Sequence, residues 1–304
     1  MKNRLIFIVL TLFAVLLLAS CSSEPETPYM PASDHTDGLE YTMKDDGTYS
    51  VSVGDARFEE NIVIPAEHEG AAVTEISEKG FWGAYMKSIV IPEGVTVIGA
   101  KALEWCDDLE DITLPSTVTS IGESAFGYLA KLRSISLPEG LTSLGMKAFK
   151  HCSLLESVTI PGGIEVLGEY TFNECTSLTS VTLGEGITAI DKYAFYNCAA
   201  LASLALPSTL TSIGDGAFYM CAALKSVTVP SSVTALPRYT FFACHALESV
   251  YIPTSVTEIG ANAFGSCESL VTVYYAGDAD SWAEIDIDDL YESTLSTAQI
   301  IYNS

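Results

Sequence analysis

Between Leu109 and Leu114 the chain alternates: Leu109, Ile112 and Leu114 are apolar, and Asp111 and Thr113 beside them are polar. Period-two alternation predicts a short strand with one face turned inward. Pro115 follows, and because it has no N–H to donate to a ladder it is placed just past the last paired residue, at a first corner. Val118 and Ile121 then bracket Thr119 and Ser120, and Ala125-Phe126 completes the unit. The order returns every 23 residues: Pro92, Pro115, Pro138, Pro161, then Gly184, then Pro207, Pro230 and Pro253. Leu103 opens a second series continued by Phe126, Phe149, Phe172, Phe195, Phe218, Phe241 and Phe264. A period of about 20 to 50 residues predicts a solenoid, whose units bury their apolar faces only against their neighbours. Leu109, Leu132, Leu155, Leu178, Leu201, Leu224, Leu247 and Leu270 should form one inward column and the phenylalanines another on the opposite wall. Stacking about nine such turns gives a rod roughly 40 to 45 Å long.

The ends depart from the period. Leu39 to Val53 alternates on both sides of Asp46-Gly47, which predicts a hairpin with a two-residue turn covering the first rung. Pro65 to Pro92 is 27 residues, an irregular first turn with extra residues around Glu67 to Ala71. Beyond Tyr275 the period stops; Asp280 to Ile285 suggests a short helix that lays Trp282 on the last rung, and Ile300-Ile301-Tyr302 a closing strand. The glycines at 99, 122, 145, 168, 214 and 260 share their slot with Asp191 and Pro237. Proline cannot take positive φ, so close approach of backbones is the better reason for them.

Ahead of the repeats, Lys2 and Arg4 precede an uncharged run from Leu5 to Leu18, short for a membrane span and suited to a signal peptide. Leu18-Ala19-Ser20-Cys21 resembles a bacterial lipobox, which implies cleavage before Cys21 and lipidation of its sulfur. Pro25, Pro28 and Pro31 among Ser, Thr and acidic residues read as a semi-extended tether. The expected organisation is a leader over 1–20, lipidated Cys21 and tether to 38, a hairpin cap over 39–61, repeats over 62–275 and a closing cap over 276–304.

Composition narrows the partners. The 304 residues carry a formal charge of −25, which repels phosphate backbones, so nucleic acid is not expected. Charged residues are only 17% of the chain, because the outward strand positions are mostly Ser and Thr.

The unit L-x-x-I-x-L-P-x-x-V-T-x-I-G-x-x-A-F-x-x-C, as in Leu201 to Cys221, resembles the BspA-type leucine-rich repeat of bacterial surface proteins. Departures are Leu129 at the Cys position, Gly184 at the Pro position, and Thr171 and Thr240 before the Phe. The resemblance implies a leucine-rich-repeat solenoid of short parallel strands, tight turns and short helical turns with a hairpin at its N-terminal end. It also implies exposure at the cell surface and, in some relatives, binding to host proteins or other cells.

Cys106, Cys152, Cys175, Cys198, Cys221, Cys244 and Cys267 occupy one slot. In-register side chains point the same way and their number is odd, so buried thiols filling small core space are favoured over bridges. A metal ladder lacks a second ligand at zinc-like spacing. His35, His68, His151 and His245 are scattered, and G-x-S-x-G, H-E-x-x-H and Walker-type sequences are absent, so no enzyme, cofactor or metal is expected. The acidic run from Asp278 to Asp289 lacks a calcium-loop glycine and reads as a solubilising cap.

Two surfaces could hold a ligand. One is the hydroxyl-rich strand face, whose C-terminal end adds Tyr251, Tyr274 and Tyr275 as aromatic anchors. The other surrounds the Phe corner, where Tyr170, Tyr193, Tyr196, Tyr219, Tyr239 and Phe242 stand two before or one after the Phe. Against these stand two plainer readings: small hydroxyl residues keep a sheet soluble, and the tyrosines cover the core edge. Clustered tyrosines favour protein interfaces and also stack on sugars. The expected role is a lipid-anchored, cell-surface module of the bacterial outer membrane that binds proteins on host or neighbouring cells; the alternative is a carbohydrate-binding lipoprotein of a glycan-uptake system.

Overall fold

In this computed structural model the described residues are 35–288 and 293–303. Contacts divide the chain into residues 1–32 and 33–304, and all the described residues belong to the second unit. The expected leader, Cys21 and the tether as far as residue 34 lie outside the described residues.

Residues 23 apart superimpose on successive turns. The strand before the proline pairs in parallel with its counterpart, Ile62 with Ile89 with Ile112, and Val158 with Val181. The ladder resumes through Val227, Val250, Val273 and Ile300. A second ladder runs along the other side of the corner, from Ile76 through Ile98 and Ile121 to Leu144, then Leu167, Ile190 and Ile213, then Leu236, Ile259 and Ile287. There are about eleven turns rather than nine, because both caps supply rungs. Tyr49–Ser52 of the hairpin pairs in parallel with Ala71–Ile76, and Gln299–Tyr302 with Thr272–Tyr275. The first ladder is interrupted at 134–137, where one bridge joins Ser134 to Ser157, and at 203–206. Ile135, Leu137 and Leu204 stay buried there, so the core holds these rungs in place without the full ladder.

The phenylalanines form the expected column: successive rings from Phe126 to Phe264 lie 5.3–5.5 Å apart and are nearly parallel. Around them the chain is not helical. Among the described residues the only α-helices are Ala279–Ala283 and Ser293–Thr297, both in the C-terminal cap. Each Phe corner is a run of tight turns in which the residues two before and two after the Phe have positive φ, as at Tyr193 (54°) and Asn197 (54°) around Phe195. Alternate amides divide the work. The N–H groups of Tyr193, Phe195 and Asn197 donate to the next turn at Asp215, Ala217 and Tyr219, while those of Ala194, Tyr196 and Cys198 bond back within their own turn. Left-handed backbone costs a non-glycine residue about 1–2 kcal/mol, and the bonds between turns offset it. Ala243, with φ 58°, has no side chain beyond Cβ to lose. Ala243→Gly is therefore expected to raise stability by about 0.5–1 kcal/mol, the strain relieved exceeding the added unfolded-state entropy. A lower denaturation midpoint for this variant would contradict that account of the corner.

The cysteine slot is explained by the same corner. Each thiol is buried, and its S–H donates to the carbonyl of the Phe-series residue one turn back, from Cys106 to Phe81 (3.0 Å) through Cys198 to Phe172 (3.2 Å) to Cys267 and Phe241 (3.1 Å). The departures Thr171 and Thr240 are likewise satisfied, their hydroxyls donating to Gly168 O (2.7 Å) and Pro237 O (2.5 Å). At the glycine slot, a Cβ on Gly99 would stand 2.6 Å from the Glu78 amide nitrogen, so adjacent backbones do approach too closely for a side chain there.

Both caps form. Glu40–Met43 and Tyr49–Ser52 make the antiparallel hairpin, but its loop has three residues, Asp45 to Gly47, because Lys44 N–H still bonds Thr48 O. Gly47 at φ 81° closes the loop in the left-handed region, which a type I turn followed by a bulge requires. Thr36, assigned to the tether from sequence, is bound to the first rung: its N–H donates to Val63 O (2.9 Å) and its Oγ1 accepts from Val63 N (2.8 Å). At the other end Asp278 caps the helix Ala279–Ala283 by accepting from Ser281 N (2.9 Å), and Trp282 stands edge-on to Tyr275 at 5.1 Å. Those bonds from Ser281 pull the Asp278 carboxyl below its ordinary range. Among the described residues, no helix is long and apolar enough to cross a membrane.

Candidate functional site

The Phe corner gathers most of the tyrosines singled out from sequence. Tyr170, Tyr193 and Tyr239 occupy the left-handed position two before the Phe, and Tyr196, Tyr219 and Phe242 the position just after it. Backbone bonds to the next turn fix each first-column residue, as from Tyr170 N to Lys192 O (3.1 Å) and Tyr239 N to Ala261 O (3.0 Å). The rings then build on one another. Tyr219 is stacked between Tyr196 (5.2 Å) and Phe242 (4.8 Å), while Tyr193 and Tyr239 stand edge-on to Tyr196 and Phe242 at 85° and 82°. Tyr170 joins Tyr193 at 5.4 Å. Between Tyr193 and Tyr239 the first column holds Gly216, at φ 58°, and the Tyr193 ring leans across it into space that a Cβ would take. The result is a shallow groove of about 620 Å³ lined by Tyr193, Tyr196, Tyr219, Tyr239, Phe242 and Asn262. Partial burial and the neighbouring tyrosines push the Tyr219 phenol above its ordinary pKa, so this ring meets a ligand as a neutral phenol.

On the strand face the outcome is divided. Tyr251 and Tyr274 pair in register and stack at 4.4 Å, with Tyr251 44% exposed. Tyr275 is not an outward anchor: it is 3% exposed and belongs to the core. Successive strand residues point to opposite faces, so the residue after Tyr274 must turn inward. Shallow hollows lie along this face where the ladder is interrupted, one of about 440 Å³ around Ser134, Ser136 and Thr159 and one of about 620 Å³ around Ser203, Ala205 and Thr228.

Sequence reading passed over a further stack. Trp105, Tyr128 and His151, each two residues past the Phe-series position, lie face to face at 3.8 and 4.7 Å, and Lys150 Nζ sits 5.7 Å over the Tyr128 ring. Three aromatic residues recurring in one slot were the available signal. Burial lowers the His151 pKa. The other histidines are engaged elsewhere: His68 stacks on Tyr41 at 3.7 Å, and His245 Nδ1 lies 2.6 Å from Glu268. Among the described residues, no group of His, Cys, Asp or Glu is placed to hold a metal ion.

Oppositely charged residues one turn apart tie the outer surface together, among them Lys131 with Asp108 (2.7 Å), Arg133 with Glu156 (2.7 Å) and Arg238 with Asp215 (2.9 Å). These exposed pairs contribute little individually.

Comparison with known proteins agrees with this architecture. No curated protein matches the chain. Among solved structures, the T. pallidum leucine rich repeat protein TpLRR is 28% identical with a TM-score of 0.59, over 64% of this chain and 90% of that one. A leucine-rich repeat protein from Bacteroides ovatus is 26% identical with a TM-score of 0.61, over 88% and 78%. A leucine rich cell surface protein from Faecalibacterium prausnitzii, 23% identical with a TM-score of 0.61 over 86% and 99%, shares the fold. The BspA type leucine rich repeat region matches in six copies over residues 74–200 and 165–285, and the chain belongs to that family.

Proposed function

We propose that this protein is a non-catalytic recognition module, carried on the bacterial outer-membrane surface by a lipid on Cys21, that binds proteins of host or neighbouring cells through the tyrosine corner. The observation that carries the reading is the groove itself: five aromatic rings from adjacent turns, in mutual contact and held by backbone bonds between turns. Rigid tyrosines add contact area at little entropic cost, which is why they concentrate binding energy at interfaces. A leucine-rich-repeat frame is consistent with protein binding, since it repeats one surface along its length.

A photo-reactive residue at position 219 of the intact protein, compared with one at Ser203 on the strand face, tests this. Crosslinking of a host matrix protein from position 219, reduced by Tyr196→Ala, is expected; crosslinking only from 203 would move the site to the sheet. The carbohydrate reading is favoured by a different feature, the Tyr251–Tyr274 stack beside hydroxyl-lined hollows. A glycan array that responds, and stops responding in Tyr251→Ala, would replace the protein reading with that one. Labelling with radioactive palmitate, lost in Cys21→Ala, tests the anchor.

A further inference from the structure

The tyrosine corner narrows the chemistry of its partner, an inference that rests on reading the corner as a protein-binding surface. Tyr219 has neighbouring rings stacked on both sides, Tyr196 at 5.2 Å and Phe242 at 4.8 Å, so a ligand meets it at its edge and hydroxyl. Stacking of a flat sugar face, which needs a free ring face, is disfavoured there. A cation, by contrast, already settles on a ring of this corner: Lys192 Nζ lies 5.3 Å from the Tyr193 centroid.

The charges at the rim point the same way. Glu169, Glu174, Asp191 and Asp215 stand against Lys192 and Arg238. Arg238 is taken by Asp215 (2.9 Å), and Glu174 accepts from Asn197 (2.7 Å). Glu169 and Asp191 form no ion pair among the described residues. Partial burial, and then the charge of Glu169, push the Asp191 carboxyl above its ordinary pKa. The chain as a whole carries 39 acidic against 14 basic residues, which steers basic partners toward it and acidic ones away.

We propose that the tyrosine corner receives a basic, extended segment of a partner protein, whose lysine or arginine side chains lie against Tyr193 and Tyr239 and pair with Glu169 and Asp191. Cation–π contact with the rings and attraction to the carboxylates both favour a basic chain, so the two contributions add along the segment.

The test uses the intact protein in detergent micelles and labelled peptides of equal length with alternating Lys-Gly, Ser-Gly or Glu-Gly sequence, followed by fluorescence anisotropy. The Lys-Gly peptide is expected to bind at least about tenfold tighter than Ser-Gly. Either Tyr193→Ala with Tyr239→Ala, or Glu169→Gln with Asp191→Asn, should weaken it about tenfold. Glu169 is exposed and Asp191 half-buried, both outside the apolar core, so their replacement tests the idea even if the tyrosine variant folds poorly. Asp45→Asn with Glu67→Gln, the same charge change at the N-terminal cap, should leave the affinity within about twofold. Equal loss from the cap variant would reduce the effect to general attraction between opposite charges and overturn the proposal, as would equal binding of Ser-Gly. A partner that crosslinks from position 219 yet ignores the basic peptide sinks this assignment alone; one that crosslinks only from the strand face sinks the corner itself.

Discussion

Replacing Phe195 by alanine is expected to lower the unfolding free energy by about 3–5 kcal/mol, the upper range for a core substitution. Its ring is fully buried, 5.4 Å from Phe172 and 5.5 Å from Phe218. The surroundings cannot close over the hole, because the backbone at this residue is fixed on both sides: its N–H donates to Ala217 O (2.8 Å), and its carbonyl accepts from Cys198 N (3.2 Å) and Cys221 Sγ (3.3 Å). Phe195→Leu should cost less, since Leu103 fills the equivalent position in an earlier turn and is itself fully buried. The position in the array adds a second expectation. In a solenoid each turn is stabilised by its neighbours, so a weak middle turn should broaden the urea transition as the two ends unfold separately. A single transition with a loss below about 1 kcal/mol would show that the column collapses readily and that the ladder of rings is not what holds the turns together.

The frame was open to sequence reading because its cause is periodic. Residues 23 apart share an environment, and the register of Val158 on Val181 or Val227 on Val250 follows the repeat where it is unbroken. What stayed hidden is imposed by neighbouring turns rather than by local preference. The left-handed slots hold Lys101, Ser124, Tyr170 and Met220, residue types without a tendency toward positive φ, and only Gly83 and Gly216, Asn197 and Asn262, and His151 give a local sign. Their conformation comes from amides reaching the next turn, which no window of sequence displays. The interruptions at 134–137 and 203–206 are equally silent, since those rungs carry the same Ser and Leu pattern as the paired ones. Tyr275 is a different case. Its inward direction was available from strand alternation beside Tyr274, but grouping it with the outward tyrosines set that period aside.

Raising the pH should unfold this protein more sharply than a solenoid without the thiol column. Burial pushes the Cys106, Cys152 and Cys221 thiols from 9.0 to about 12, and Cys175, Cys198 and Cys244 well above 9.0, because a thiolate cannot be solvated among the phenylalanines. The folded state thus keeps its thiol protons after the unfolded chain has begun to lose them. Their contribution to stability is whole below pH 9.0 and is lost as pH climbs through the window from 9.0 to about 12. At pH 10 each such group gives up on the order of 1 kcal/mol, so the buried thiols together offset a large part of the stability of an ordinary domain. Circular dichroism should accordingly show cooperative loss of structure near pH 10. Tyr41, Tyr49 and Tyr219, also raised by burial, push in the same direction. Cys175→Ser with Cys198→Ser isolates the thiols, because serine keeps a donor for the Phe149 and Phe172 carbonyls but does not titrate. This variant should have a higher alkaline midpoint once its stability at neutral pH is allowed for. In the same samples, a thiol reagent at pH 8 should leave the seven repeat cysteines untouched in the folded protein and modify all of them in denaturant without reductant. Fewer than seven would mean that bridges exist. An alkaline midpoint unmoved by the serine pair would mean that hydroxide enters the column, and the turns would then be far less tightly closed than their geometry indicates.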